Sequence, residues 1–214
     1  MILSETAFEE LLPPYLHDIT KNRIRNALSQ FSGAKEIDYS DFYSAENTDF
    51  LMQGDILHSV KGIMWDEGSG EVQSGYNPAM LISNSCDVSI ENIRSVNQKD
   101  ALFAPIVPLE EYISDRKAAG FKEDQIQGFL NRLRKQEFTN LFYLPSNPIN
   151  KKEYLARFDR IYWLPLILLQ DAINEIEKAR FISLSQWGWY LFMVKLSLHN
   201  SRVPETVERP QIFK

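Results

Sequence analysis

The sequence predicts an α+β fold: a small antiparallel β-barrel with helices at both ends and a helical insertion. Three observations predict it. Short apolar runs bounded by Gly, Pro and Asn begin at Gly54, Pro78, Ala101, Phe138 and Tyr154, which reads as five short strands. No strand–helix–strand rhythm of the kind that builds a parallel sheet runs through them. Residues 185–200 are apolar almost all round, and such a helix must be buried on more than one side. The whole chain, 1–214, then reads as a single domain. N-terminal helices occupy 1–33, the barrel 50–108 and 138–183, the helical insertion 109–137 and the terminal helix 185–200.

Each element has its own signal. Ser4 ahead of Glu5 and Glu9 suits a helix N-terminus, where acids complement the dipole. Pro13-Pro14 breaks that helix, and a second runs from about Tyr15 to Phe31, ending at Ser32-Gly33. Residues 34–50 are mixed and polar. A strand opens at Gly54-Asp55-Ile56 and extends to Trp65. Gly68, Gly70 and Gly75 mark a turn-rich stretch before the strand Pro78–Ser83, whose unbroken apolar run fits burial on both faces. Ala101–Val107 repeats that pattern. Residues 109–136 read as two helices split at Gly120. Phe138–Leu144 and Tyr154–Trp163 are strands joined by the turn Pro145-Ser146-Asn147-Pro148. A helix over 166–179 and a last strand at Phe181-Ile182 follow, and Ser185 caps the terminal helix.

Composition narrows the function classes. Hydrophobic residues make up 44% and charged residues 24% of 214 residues, as in ordinary globular proteins. The formal net charge is -6, which opposes broad nucleic-acid binding, although a local basic groove is compatible with it. A single cysteine, Cys86, cannot form a disulfide within the chain. The opening MILSETAFEE carries acids where a secretion signal carries bases. The longest apolar run, Trp163–Leu169, is broken by Pro165 and far shorter than the about 20 residues of a membrane span. The expectation is an intact cytoplasmic protein with no membrane association.

The candidate site residues are His58, Cys86, Asp87, Arg157 and Asp159. Cys86 and Asp87 lie just past an apolar strand, where Cys86 would act as a nucleophile or redox thiol with His58 as its base. The plainer reading makes Cys86 a small buried apolar residue, with Asp87 capping the turn or a short helix at Ile90–Arg94. Asp55 and His58 are three apart, on opposite faces of a strand, so Asp55 fixes the opening turn and His58 is an ordinary exposed or hydrogen-bonded histidine. Arg157 and Asp159 share one face of their strand, with Arg160 opposite; the pair grips a phosphate or carboxylate, or is a surface ion pair. Lys122, Arg132, Arg134 and Lys135 form the most basic stretch, but 109–137 holds six bases and six acids, which reads as a solvated helical face. His17, His58 and His199 are scattered and no Cys-x-x-Cys exists, so neither metal nor cofactor is expected.

Gly54-Asp55-Ile56, a Gly-rich loop, Asn77-Pro78-Ala79-Met80-Leu81-Ile82-Ser83 and Ala104-Pro105-Ile106-Val107 together resemble the core of the MazF/PemK toxins, over roughly residues 53–108. That resemblance implies an SH3-like barrel and an RNA substrate. It also implies a changed active site. Asn77 stands where the family has a phosphate-binding arginine, and Val107 where it has a hydroxyl residue. Asparagine supplies no guanidinium fork and valine moves no proton. Ser83-Asn84-Ser85-Cys86-Asp87, with an aromatic final helix ending near Arg202-Val203-Pro204, is similar to a broader set of uncharacterised bacterial proteins. The leading expectation is therefore a non-catalytic binding or interaction module, a component of a bacterial stress or phage-defence system, with a protein partner or a second copy. The alternatives are a MazF/PemK-like endoribonuclease with non-standard residues acting on RNA, and a Cys86-dependent thiol enzyme or redox sensor.

Overall fold

The structure is a computed structural model that describes residues 18–19, 21–22, 25, 37–45, 48–65, 70–89, 100–169 and 174–201. Its strands are β1 (Ile56–Trp65), β2 (Val72–Leu81), β3 (Asp100–Pro108), β4 (Leu141–Leu144), β5 (Tyr154–Arg157), β6 (Tyr162–Pro165) and β7 (Arg180–Ile182). Its helices are α1 (Ser85–Val88), α2 (Leu109–Ala118), α3 (Glu123–Arg134), α4 (Ile176–Ala179) and α5 (Gln186–Asn200). The expected N-terminal helices fall mostly outside the described residues, as do Arg202-Val203-Pro204, His17, Gly68 and the short helix at 90–94; Asp18, Ile19, Lys21, Asn22 and Arg25 are helical.

All seven strands pair antiparallel in the order β4-β5-β3-β2-β1-β7, with β6 also on β3. The fold is α+β as expected, but the sheet is open rather than closed into a barrel: among the described residues no ladder joins β4 to β7. The stretches beginning at Gly54, Pro78 and Ala101 do share one sheet. β2 begins six residues earlier than expected, because it pairs with β1 all the way to Trp65 opposite Val72. Gly75 sits in that ladder opposite Gly62, not in a turn.

Alternation along the strands builds three cores. Met80, Ala104, Ile106, Phe142 and Ala156 face α5, where Leu191, Phe192 and Leu196 cover them. Ala79, Leu81, Ala101 and Phe103 face the other way and pack with Leu164, Leu169 and Ile176. Leu141, Tyr143 and Leu155 pack on Leu109, Phe129 and Leu133 of the helical insertion. Each large side chain buried this way stabilises the fold by roughly 1.5–3 kcal/mol. The apolar runs of β2 and β3 are thus largely buried on both faces, as read from the sequence, with Leu102 left exposed. A bulge between Leu57 and Val60 shifts the β1–β2 register, which lets both residues enter the second core although they are three apart.

Two expected elements are broken. Tyr154–Trp163 is not one strand. Phe103 pairs with Tyr162 and Pro108 with Tyr154, so five steps along β3 face eight along the partner chain. The three extra residues form a 3-10 turn, Phe158–Arg160, and Phe158 folds into the core. Of the expected helix over 166–179, Leu166–Leu169 form a 3-10 turn, Asn174 is helical and α4 follows after a turn at Glu175, while 170–173 lie outside the described residues. The insertion matches its expectation: α2 and α3 flank Gly120, whose φ of 89° suits glycine.

The segment 37–45, read as mixed and polar, is a packing element. Phe42 is fully buried, and Tyr43 bridges to Leu184. Ser185 caps α5, accepting from the Gly188 amide at 3.1 Å, while its own amide donates to the Phe42 carbonyl at 3.0 Å. At the far end of the order, Gln136 supports β4: its side chain donates to the Tyr143 carbonyl (2.8 Å) and accepts from the Tyr143 amide (3.1 Å). Most of α5 is buried or half-buried within the chain, and Leu198 is its one exposed large apolar side chain among the described residues.

Candidate functional site

Of the five candidate residues, Arg157 and Asp159 are paired side chain to side chain. Arg157 ends β5 and Asp159 lies in the 3-10 turn that follows, so the turn folds the carboxylate back onto the guanidinium. Nε donates to Oδ1 at 2.8 Å and Nη2 to Oδ2 at 2.7 Å, a two-point fork. Burial pushes the Asp159 carboxyl up, but the Arg157 hydrogen bonds and charge, with Asn140, outweigh it and hold the group below the ordinary carboxylate range. The guanidinium also lies 5.9 Å from the Tyr112 ring, which receives Arg116 at 5.0 Å. The pair meets as expected, although through a turn rather than along one strand face. Its fork is filled by Asp159.

Cys86 is exposed, which corrects the expectation of a buried apolar residue. The cause is local. α1 is a single turn anchored by its neighbours: the Leu102 amide donates to Ser83 Oγ (2.8 Å) and the Gln53 amide to Ser85 Oγ (2.9 Å). Val88 is the residue of α1 that reaches the core, leaving Cys86 and Asp87 outward. His58 is exposed too, its ring 4.8 Å from that of Phe181. In the antiparallel register Ile56 faces Met80, so β1 runs from there away from the end of β2 that leads to Cys86. The fold carries His58 along the sheet in the opposite direction from the thiol.

Two buried charged features escaped the sequence reading, the partner of Asp55 and the burial of Lys195. Asp55 was expected to fix a turn, and it does: Oδ2 accepts from the Met52 amide at 2.9 Å. It also meets Arg180, whose Nε donates to Oδ2 at 2.9 Å, and Ser183, whose hydroxyl donates to Oδ1 at 2.7 Å. Arg180 then spends its remaining donors on Thr48 and the Phe50 carbonyl. Burial pushes the Asp55 carboxyl above the ordinary range, against the pull of the Met52 amide, Ser183 and Arg180. The second is Lys195, 1% exposed inside α5, whose amine donates to the Gln136 carbonyl. Burial holds that amine down at about 8, with the Glu137 charge pulling the other way. A lysine within an aromatic helix is a visible oddity, but its acceptor is a backbone carbonyl that no pattern announces.

No protein-family model matches the chain, nor does any curated protein or solved structure. The positions where the toxin resemblance would put chemistry hold Asn77, opposite Val60, and Val107, opposite Leu155. Among the described residues no group of three or more His, Cys, Asp or Glu could hold a metal ion. No helix of the described residues is long and apolar enough to cross a membrane.

Exposed apolar side chains collect near β6. Leu102 and Trp163 are register partners on β3 and β6, and both are exposed, Trp163 by 62%. Alternation puts Leu102 on the face that α5 covers at Ala104 and Ile106, but beyond that cover. Ile167 and Leu168 follow in the 3-10 turn, also exposed.

Proposed function

We propose that the protein is a non-catalytic interaction module whose apolar strip on β3 and β6 binds another protein surface. The observation that carries this reading is the exposed cross-strand pair Leu102–Trp163, with Ile167 and Leu168 close behind in the chain. Large apolar side chains grouped in the open mark interaction surfaces more often than chance exposure does. Trp is also among the residues that anchor interfaces. The strip lies on a strand rather than in a cavity, which suits a protein surface better than a small molecule. The charged candidates support the same reading. Arg157 already grips Asp159, and Asp55 already grips Arg180, so neither pair offers an open fork to a phosphate. An endoribonuclease would have to open the first of these.

Light scattering and affinity capture test the proposal, each run on the native chain and on Trp163→Asp. The native chain self-associates or retains a protein, and the variant loses that while unfolding at the same temperature. A native monomer at high concentration that retains nothing overturns the reading. So does association indifferent to Trp163→Asp.

A further inference from the structure

An open groove of about 510 Å³ lies between the helical insertion and the turn that joins β4 to β5. It lies within the roughly 300–1,000 Å³ range of ordinary ligand sites. Its lining includes the apolar residues Leu109, Ile113 and Leu130. It also includes four cations: Lys117 and Arg134 from the insertion, and Lys151 and Lys152 from the turn. Two acids, Glu110 and Glu153, oppose them. The groove is therefore locally basic in a chain whose formal net charge is -6. Sequence balance hid this, because the six bases and six acids of 109–137 cancel, and the turn lysines join them only in three dimensions.

The ion pairs around the groove are exchangeable. Lys117–Glu123 (3.1 Å) is more than half exposed on both sides, and Lys152 stands 4.0 Å from Glu110. Exposed pairs of this kind contribute about 0–1 kcal/mol, so an incoming carboxylate can replace them. Among the described residues Lys151 has no ion-pair partner, and the Asn147 turn holds it at φ 60°, where its amide donates to the Asn147 carbonyl (3.0 Å). Arg134 is different: it donates to Glu153 at 3.1 Å, and Glu153, also in the lining, accepts from the Tyr143 hydroxyl as well.

We infer that this groove binds an acidic peptide segment of a partner protein, its carboxylates meeting Lys117, Lys151 and Lys152 and an apolar side chain covering Ile113 and Leu130. The inference rests on the interaction-module reading and gives one partner its chemistry. The lysines complement carboxylates, and the rest of the lining favours a peptide over RNA. It contains no aromatic residue on which a base could stack, and its apolar Leu109, Ile113 and Leu130 suit a peptide side chain.

Fluorescence anisotropy with the full chain tests it, using a labelled peptide of alternating Glu and Leu, the same peptide with Gln for Glu, and a single-stranded RNA. The Glu peptide binds at least about tenfold tighter than the Gln peptide, a 1.4 kcal/mol difference, and weakens as salt rises. Lys117→Glu with Lys151→Glu and Lys152→Glu removes that preference, and the single variant Lys151→Ala lowers it. Trp163→Asp leaves it unchanged, so failure here is separable from failure of the β6 strip. Equal binding of the two peptides, tighter binding of RNA, or indifference to the lysine variants overturns the inference.

Discussion

Asp55 and Arg180 are 125 residues apart and meet where neither side chain is more than 2% exposed. A buried pair of this kind adds little net stability, but removing one partner strands the other charge at a cost of about 3–5 kcal/mol. Asp55→Asn is accordingly expected to lower the unfolding free energy by about that amount in a urea titration. Replacing both, Asp55→Leu with Arg180→Met, recovers most of the loss, because no charge is left without its partner. A loss of under about 1 kcal/mol in the single variant would show that Asp55 does not neutralise Arg180. Residue by residue, the sequence showed Asp55 as a turn residue and stopped there. Pairing across that distance depends on β7 docking beside β1, which no local pattern encodes.

At the scale of elements, legibility followed periodicity. The insertion helices, the cap at Ser185 and the apolar runs at Pro78 and Ala101 have local signals and are found as a helix pair, a cap and two strands, although β2 starts earlier than its run. Irregular pieces did not show. Phe158–Arg160 interrupts a run that alternates well enough for a strand, because the choice to insert Phe158 in the core is made by the packing of Phe142 and Phe192 around it. The close contact of α5 with residues 37–45 is another case. A Cβ on Gly188 would lie 2.3 Å from the Phe42 carbonyl oxygen, whereas one on Gly128 in α3 would meet open space. Gly188→Ala is expected to destabilise by about 1–3 kcal/mol through overpacking. Gly128→Ala is expected to stabilise by about 0.5–1 kcal/mol through helix propensity. Thermal unfolding of the two variants should move in opposite directions; shifts of the same sign would remove the packing argument at Gly188.

At the scale of the whole molecule, α+β class and a shared sheet were legible, and closure was not. Closure depends on whether the outer strands meet, and strand composition carries no information on that. The clustering of lysines around the insertion groove was invisible for the same reason. Stability against pH is also a whole-molecule property, and Lys195 sets part of it. Its amine is held at about 8 in the fold against an ordinary 10.5. Below pH 8 both folded and unfolded chains are protonated and the full cost of the buried charge is present. Between the two values the unfolded chain binds more protons, so stability rises with pH. Native protein should therefore gain about 2 kcal/mol on Lys195→Met between pH 7 and 9.5. Chemical denaturation of both proteins across that window checks it, and a constant difference would contradict it. The window stops short of pH 10, where Tyr39, Tyr43 and Tyr143, all pushed up by burial, begin to destabilise the fold as their unfolded counterparts ionise.

The Gln136 side chain has a consequence for how the molecule meets its own kind. β4 ends the hydrogen-bonded order, and an outermost strand invites another chain to add itself and grow into fibrils. At Tyr143 the Gln136 amide occupies the place a foreign backbone would take, offering the same donor and the same acceptor. A single primary amide thus stands guard against runaway polymerisation at that margin.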